Sequence, residues 1–357
     1  MTAIQQTQHS TASAPSNLPP KQLGLNITVI VPVRNEETSV AGVIKSLLGQ
    51  TLPPQEIVVT DAGSVDGTKD VLREIIQNGH PVRLVEDADA FPGRARNLAI
   101  AQAQSPWVAM TDAGTKVPLT WLASLARPAA AGEQVDVVFG SYEPILDSFF
   151  RECLALAFVP PARMLPGGPF RGPTTASLLL RRKVWDALGG FAEELRACED
   201  LLFFDRLAVG TWAASYAPDA LVEWNLPGNF RDTFRRFRQY SRHTLKAGLG
   251  RRWQLAIARM YSAAALLVVL TLFHHVAWVG LIPLGLAWRV HRSIRARRPW
   301  LKLAHPVGLP TYLLVAVLLL WIDLAAFAGC LQYLLWGDWT RKMQPTRLDS
   351  SLGRGKN

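Results

Sequence analysis

The residues that could do chemistry in this chain are acids, and they stand where apolar runs end. Val58-Val59-Thr60-Asp61 is a β-branched run closing on a carboxylate, and Ala62-Gly63-Ser64-Val65-Asp66-Gly67-Thr68 follows as a small-residue turn into a helical pattern. A strand that runs into a Gly-rich turn and a helix N-terminus suits a phosphorylated ligand. Backbone N–H groups and the helix dipole favour the anion, while the strand-end carboxylate can accept from a ribose or a base. An ordinary strand–turn–helix connection has the same form. Asn35 follows a second apolar run, 27–32, and Asp112 follows a third, 107–110. Glu199-Asp200 opens a later helical stretch, where first-turn acids also suit the dipole without reacting.

Alternating strands and helices must position these groups. The runs 27–32, 57–59, 82–85 and 107–110 read as buried strands. Between them, Val40, Val43, Ile44 and Leu47 recur at helical spacing, as do Val71, Leu72, Ile75 and Ile76, and 93–102 is helical. This alternation predicts an α/β fold with a Rossmann-like, mostly parallel sheet and helices on both faces. Ligands in such sheets bind beyond the carboxyl ends of the strands, so Asn35, Asp61 and Asp112 converge on one edge. Beyond Asp112 the pattern loosens. Residues 119–126 read as helix, 135–139 and 176–180 as strands, 160–173 as a long Pro/Gly-rich loop, and 184–188 and 201–207 as helices.

The formal charge of +10 suits nucleic acid or an anionic membrane surface. Two long apolar runs near the C-terminus favour the membrane and argue against a nucleic-acid partner. Residues 229–252 interleave Phe230, Phe234, Phe237 and Tyr240 with arginines, as basic amphipathic helices at membrane surfaces do. Residues 261–288 and 307–336 are nearly free of charge, and each exceeds the ~20 residues that span a bilayer. Basic residues flank both runs and separate them, which the positive-inside rule places on one side. Two simple spans would carry the middle cluster across. Two re-entrant hairpins, turning near His274-His275 and Asp323, would keep it inside, each arm about 21 Å long at ~1.5 Å per residue. In both arrangements the N-terminal domain and the C-terminus are expected on the cytoplasmic side of the cell membrane. His274, His275 and Asp323 are expected to mark turns or a packed interface. The three cysteines, Cys153, Cys198 and Cys330, lie far apart, so neither a zinc site nor a disulfide framework is suggested. The expected organisation is a disordered tail over 1–24, a catalytic-type domain over 25–228, a basic interfacial helix over 229–258, membrane-embedded helices over 259–338 and a basic cytoplasmic tail over 339–357.

Taken in order, the motifs resemble the family 2 glycosyltransferases of the GT-A fold, in their membrane-attached bacterial form. The stretch from Val29 to Glu37 resembles that family's opening strand and loop, and Asp61 to Thr68 its nucleotide loop. Gly93-Arg94-Ala95-Arg96-Asn97 resembles the helix before its metal motif, and Thr111-Asp112-Ala113-Gly114 stands at its Asp-x-Asp position. Gly189-Gly190-Phe191 with Glu199-Asp200 resembles its acceptor-side motifs. The resemblance implies transfer of a sugar from a nucleotide-diphosphate donor to a lipid-linked or saccharide acceptor at the membrane, with inversion. It assigns Asp200 as general base beside Glu199. Pro32, Asn35, Glu36, Asp61, Asp66, Arg94, Arg96 and Asp112 fall on the donor side, with Asp112 holding Mg²⁺ or Mn²⁺. Arg94 and Arg96 could meet phosphates or pair with Asp87 or Asp89.

The chain departs from the pattern at Ala62, where a second carboxylate often follows the first, which leaves the base of the donor open. It also departs at Asp112-Ala113-Gly114, which keeps one acid. One carboxylate beside a diphosphate still suffices for Mg²⁺ in principle. Gln239-Tyr240-Ser241-Arg242-His243 resembles the Gln-x-x-Arg-Trp signature of processive synthases with His243 in place of the aromatic residue, so Arg242 and His243 are candidate diphosphate contacts. The reduced acid motif also motivates an alternative, a catalytically impaired membrane scaffold that keeps the fold. A nucleotidyltransferase is disfavoured because Glu199-Asp200 has no place in it.

Overall fold

The computed structural model describes residues 23–131 and 134–336. The expected tail 339–357 lies outside the described residues, as does 1–24 except for Leu23 and Gly24. The described chain divides into two compact units. One holds the chain up to Glu143 together with Met164–Trp224, and the other holds Pro144–Arg163 together with the chain from Asn225.

The first unit is built on an eight-stranded sheet ordered β3-β2-β1-β4-β9-β6-β10-β5. Its parallel half comprises β1 (Ile27–Val33), β2 (Glu56–Asp61), β3 (Val82–Glu86) and β4 (Trp107–Met110). β-Branched residues dominate β1 and β2, and every residue of β2 and β4 is buried, as a sheet covered on both faces requires. Along β1, Val29, Val31 and Val33 pack with α1 (Val40–Leu48), α2 (Thr68–Gln77) and α4 (Trp121–Ala130). Ile30 faces the other core, with α3 (Pro92–Gln102), α6 (Arg182–Leu188) and α7 (Glu199–Val209). Each such fully buried aliphatic contributes about 1.5–3 kcal/mol.

The far half of the sheet is where sequence patterning was weakest. β5 (Thr115–Lys116), β6 (Val137–Pro144), β9 (Leu178–Arg181) and β10 (Ala214–Trp224) complete it. β9 runs antiparallel to both β4 and β6, and β10 antiparallel to β5. The stretch expected as a Pro/Gly-rich loop contains two short paired strands, β7 (Arg163–Leu165) and β8 (Gly168–Phe170). Arg171 beyond them is buried and donates to both Glu143 carboxylate oxygens, at 3.1 and 2.7 Å.

The second unit is helical: α5 (Phe149–Phe158), α8 (Phe230–Lys246), α9 (Gln254–Phe273), α10 (Leu281–Arg297) and α11 (Leu309–Trp336). A division at residue 228 does not capture α5, which comes from mid-chain and packs on α10 and α11. Only α9 and α11 are long and apolar enough to cross a membrane among the described residues. The apolar side of α8 is not open to headgroups along its length. Phe230 and Phe234 pack on Trp321 of α11, and Phe237 packs edge-on against Phe158 of α5. α11 and α8 approach so closely that a Cβ added at Gly329 would lie 2.3 Å from the Arg238 carbonyl oxygen. The turn expected near His274-His275 is present, between α9 and α10. The one considered at Asp323 is not, because α11 runs through it unbroken.

Candidate active site

β1, β2 and β4 end side by side. Val33 is in register with Asp61 and Ile30 with Met110, which brings the loops after Val33, Asp61 and Met110 to one edge. Asp61 is buried, and its Oδ1 accepts from the backbone N–H groups of Gly63 and Ser64 at 3.1 and 2.9 Å. Its Oδ2 is buried without a partner among the described residues. An unsatisfied buried acceptor is costly, so a vacant carboxylate oxygen here is a feature that a donor group would relieve. The turn after it needs Gly63, whose φ is +77° and whose Cβ would meet the Ala88 carbonyl oxygen at 2.5 Å.

The neighbouring acids are already occupied. Asp66 accepts from the Thr68 N–H at 3.1 Å, from the Thr68 hydroxyl and from the Glu37 N–H. These bonds, the Thr68 hydroxyl first, hold its carboxyl below the usual range. Asn35 takes the left-handed conformation at φ 55°, which asparagine tolerates. Its side-chain carbonyl accepts from the Val65 N–H at 3.0 Å, and its own N–H donates to the Ser64 hydroxyl at 2.9 Å. The Glu36 N–H donates to the Thr68 hydroxyl at 2.8 Å. Asp66, Asn35 and Glu36 thus clasp the first loop to the second. Pro32 is half-buried near the end of β1, paired with Thr60.

α3 carries the arginines. Arg94 is half-exposed and pairs with Asp87 at 2.7 Å and with Glu193 at 3.2 Å. Its bond to Asp87 lowers that carboxyl's pKa. Arg96 is buried and bridges two acids, donating to Glu199 at 2.6 Å and to Asp112 at 2.9 Å. Its Nε–H has no partner among the described residues. Burial works against the charge on Arg96, but Asp112, Glu199 and Asp200 outweigh it and raise its pKa. The two acids at the start of α7 are both shifted upward. Burial pushes Glu199 up to about 7 against the pull of Arg96, with the Asp200 charge adding to the rise. Burial likewise raises Asp200, opposed by Arg96, while Asp112 adds to the rise. One Asp200 oxygen accepts from the Leu201 N–H at 2.8 Å. The residue before this pair, Cys198, is left-handed at φ 72°, a conformation that costs a non-glycine residue about 1–2 kcal/mol.

Asn97 is the organising residue that motif reading passed over. Its amide donates to the Phe191 carbonyl at 2.9 Å and to Glu193 at 2.8 Å, and its carbonyl accepts from Phe191 N–H at 2.8 Å and Trp185 Nε1 at 3.0 Å. It therefore fastens α3 to the Gly189-Gly190-Phe191 loop that leads into Glu199. An asparagine inside a helix, against propensity, was the available signal. Gly93 completes the fit, since a Cβ there would lie 2.1 Å from the Ala192 carbonyl oxygen. At Ala62, where a second acid was missed, the side chain packs with Ala90 and Ala95 in a small buried cluster. Arg242 and His243 lie on α8 of the second unit, with His243 buried there.

Arg96 thus ties Asp112 to Glu199, with the Asp200 charge close by, at the carboxyl edge of a parallel sheet beside a strand-end aspartate with a spare oxygen. Residues 28–185 match the profile of glycosyl transferase family 2. A succinoglycan biosynthesis protein, ExoA of Rhizobium meliloti, is 24% identical over 304 residues, 77% of this chain and 88% of its own. Glycosyltransferase AglE of Haloferax volcanii is 31% identical over 120 residues, 33% of this chain. The chain spans only 39% of AglE, and 16% of glycosyltransferase GlyA of Streptococcus pneumoniae, which it matches at 28% identity. The mannosyltransferase PcManGT from Pyrobaculum calidifontis, solved with GDP-Man and Mn²⁺, shares the fold. Its TM-score is 0.52 at 21% identity, over 94% of this chain and 93% of that one.

Proposed function

We propose that the protein is a membrane-attached glycosyltransferase. It moves a sugar from a nucleotide-diphosphate donor to a hydroxyl of a lipid-linked or saccharide acceptor at the membrane, with inversion. The observation that carries this reading is the Arg96 bridge, which keeps Asp112, Glu199 and Asp200 together on the donor edge of the sheet. Asp200 takes the proton of the acceptor hydroxyl as that oxygen bonds to the anomeric carbon. The bond from this carbon to the diphosphate breaks with its electron pair on the leaving oxygen. A raised pKa makes Asp200 the stronger base once ionised, and Arg96 keeps the ionised form accessible. Asp61 Oδ2 accepts from the nucleoside, and the clasp formed by Asn35, Glu36 and Asp66 holds the loop that presents it.

The fit to a divalent metal is partial. Among the described residues no three His, Cys, Asp or Glu side chains cluster as a ligand set, and Asp112 Oδ1 is already engaged by Arg96. Asp112 Oδ2 remains as one protein ligand, so Mg²⁺ or Mn²⁺ would be held jointly by Asp112 and the donor's phosphates. Such an ion supplies charge neutralisation for the departing diphosphate. The test is a panel of sugar nucleotides with Mg²⁺ or Mn²⁺ on purified, lipid-reconstituted protein, scored for transfer, hydrolysis and thermal shift. Transfer that survives Asp200→Asn unchanged refutes the mechanism. The Arg96 grip on a lone Asp112 favours a second reading, an impaired scaffold, which the absence of turnover and of thermal shift with every donor would support.

A further inference from the structure

We propose that α9 and α10 form a re-entrant hairpin that enters one leaflet of an anionic bilayer and leaves on the side it entered. This rests on the membrane attachment proposed above and adds its mode. The decisive contact is at Asp323 on α11. This buried carboxylate accepts from the Tyr261 hydroxyl of α9 at 3.0 Å and is bound through both oxygens by Arg289 of α10. The chain therefore departs at Tyr261 and returns at Arg289 to the same carboxylate, which forms the mouth of the hairpin.

The lengths then limit its depth. From Tyr261 to the end of α9 at Phe273 is a reach of about 18 Å, and from Leu281 back to Arg289 about 12 Å, at ~1.5 Å per residue. Neither covers a hydrocarbon core of about 30 Å: the shorter arm fits within one leaflet, about 15 Å, and the longer, at about 18 Å, stops well short of the opposite headgroups. Between Arg259 and Arg289 the chain carries no Lys, Arg, Asp or Glu. Apart from Ser262, His274 and His275, its exposed side chains are apolar, with Leu272, Phe273, Val276, Leu284 and Trp288 all more than 60% exposed. Beyond the mouth, exposed Arg251, Arg252 and Arg259 on one arm and Arg292, Arg295 and Arg298 on the other present cations at headgroup level.

The tip is chemically suited to hydrocarbon. Backbone groups inside a bilayer must be satisfied internally. Here the N–H groups of His274 and His275 donate to the Leu270 carbonyl at 2.9 and 3.1 Å. His275 Nδ1 accepts from the Ala277 N–H at 3.0 Å, and His274 Nδ1 accepts from Trp278 Nε1 at 3.3 Å. The paired histidines cap the turn and do not need water to do so.

The test uses the full chain in vesicles containing an anionic phospholipid, with single cysteines added at exposed positions: Ala256→Cys before the hairpin, Val276→Cys at its tip and Arg295→Cys beyond it. The wild-type chain reports background from its own cysteines. An impermeant thiol reagent should modify 256 and 295 from the same face of the vesicle. A fluorophore at 276 should be quenched by a nitroxide on the lipid chains and not by aqueous iodide. Modification of 256 and 295 from opposite faces, or of 276 from the far face, overturns the hairpin. A protein that fails to float with the vesicles overturns membrane attachment itself. Donor turnover plays no part in either result, so the glycosyltransferase reading stands or falls separately.

Discussion

Replacing Arg96 by methionine should destabilise the protein in a way that depends steeply on pH. Glu199 is buried, and its pKa is raised from 4.5 to about 7 even with Arg96 at 2.6 Å. For an acid whose folded pKa is raised, the stability contribution is fully present below the unfolded value and is lost as pH rises to the folded one. In the wild type this loss runs from about pH 4.5 to about 7 and then stops, because Glu199 ionises and Arg96 holds the charge. Without Arg96 the carboxyl keeps its proton and the loss continues, at about 1.4 kcal/mol per pH unit. Near pH 6 this contribution of the substitution is close to zero, and near pH 8.5 it reaches about 2 kcal/mol. Asp200, raised by the same burial, adds in the same direction. Loss of packing around the longer side chain adds a part that does not vary with pH. Thermal melts of the reconstituted protein followed by tryptophan fluorescence at the two pH values measure the difference, and Arg96→Met combined with Glu199→Gln should flatten it. Equal destabilisation at both pH values refutes the account of Arg96 as the counter-charge of the buried pair.

Asp200→Asn should lower transfer by about 10²–10⁴-fold, the span general-base removal produces, with donor affinity retained by calorimetry. The wild-type rate should rise with pH through a value above the ordinary aspartate range, because burial raises the base; a rate that falls through that region refutes Asp200 as base. Asp61→Asn should weaken nucleotide binding by about 10–150-fold, the equivalent of one hydrogen bond to a charged group at 1.5–3 kcal/mol, and unchanged affinity removes Asp61 from the donor site. Gly329→Ala should cost about 1–3 kcal/mol in a melt, since its methyl would meet the Arg238 carbonyl oxygen at 2.3 Å and force α11 from α8.

The parallel half of the sheet was legible because buried strands write themselves as β-branched runs and their covering helices as a 3.6-residue period. The ends of β1, β2 and β4 followed, and with them Asn35, Asp61 and Asp112 on one edge. What each side chain does there was less legible, because a carboxylate that clasps a loop and one that awaits a ligand are the same letter. Asp66 satisfies Thr68 and Glu37, whereas Asp61 keeps an oxygen spare. Arg96 could be named as a candidate, but its bond to Glu199 joins residues 103 apart in sequence, a separation no local pattern encodes. β10 escaped notice because its alternation is interrupted by Pro218 and by charged residues on the outer side. α5 lies in a stretch whose periodicity is helical but whose partners come from the far end of the chain.

That placement of α5 has a consequence for any attempt to isolate the catalytic-type unit. Among the described residues the chain passes between the two units three times, after Glu143, after Arg163 and after Trp224, so no single cut separates them. A fragment ending at residue 228 would keep α5 and lose what covers it. Ser293 of α10 donates to the Leu156 carbonyl at 2.9 Å, and Arg297 donates to the Val159 carbonyl at 2.7 Å. The buried Glu152 carboxylate accepts from the backbone N–H of Ala304 at 2.8 Å and of His305 at 3.3 Å. Removing these partners bares two helix-end carbonyls, a carboxylate and the apolar side chains of Cys153, Leu154 and Leu156. An exposed apolar patch of that kind drives association. The fragment 1–228 should therefore aggregate on size-exclusion chromatography, while the same fragment with 144–163 replaced by a Gly/Ser linker of equal length should run as a monomer. A monomeric 1–228 fragment that binds no hydrophobic dye would show that α5 does not depend on the C-terminal helices.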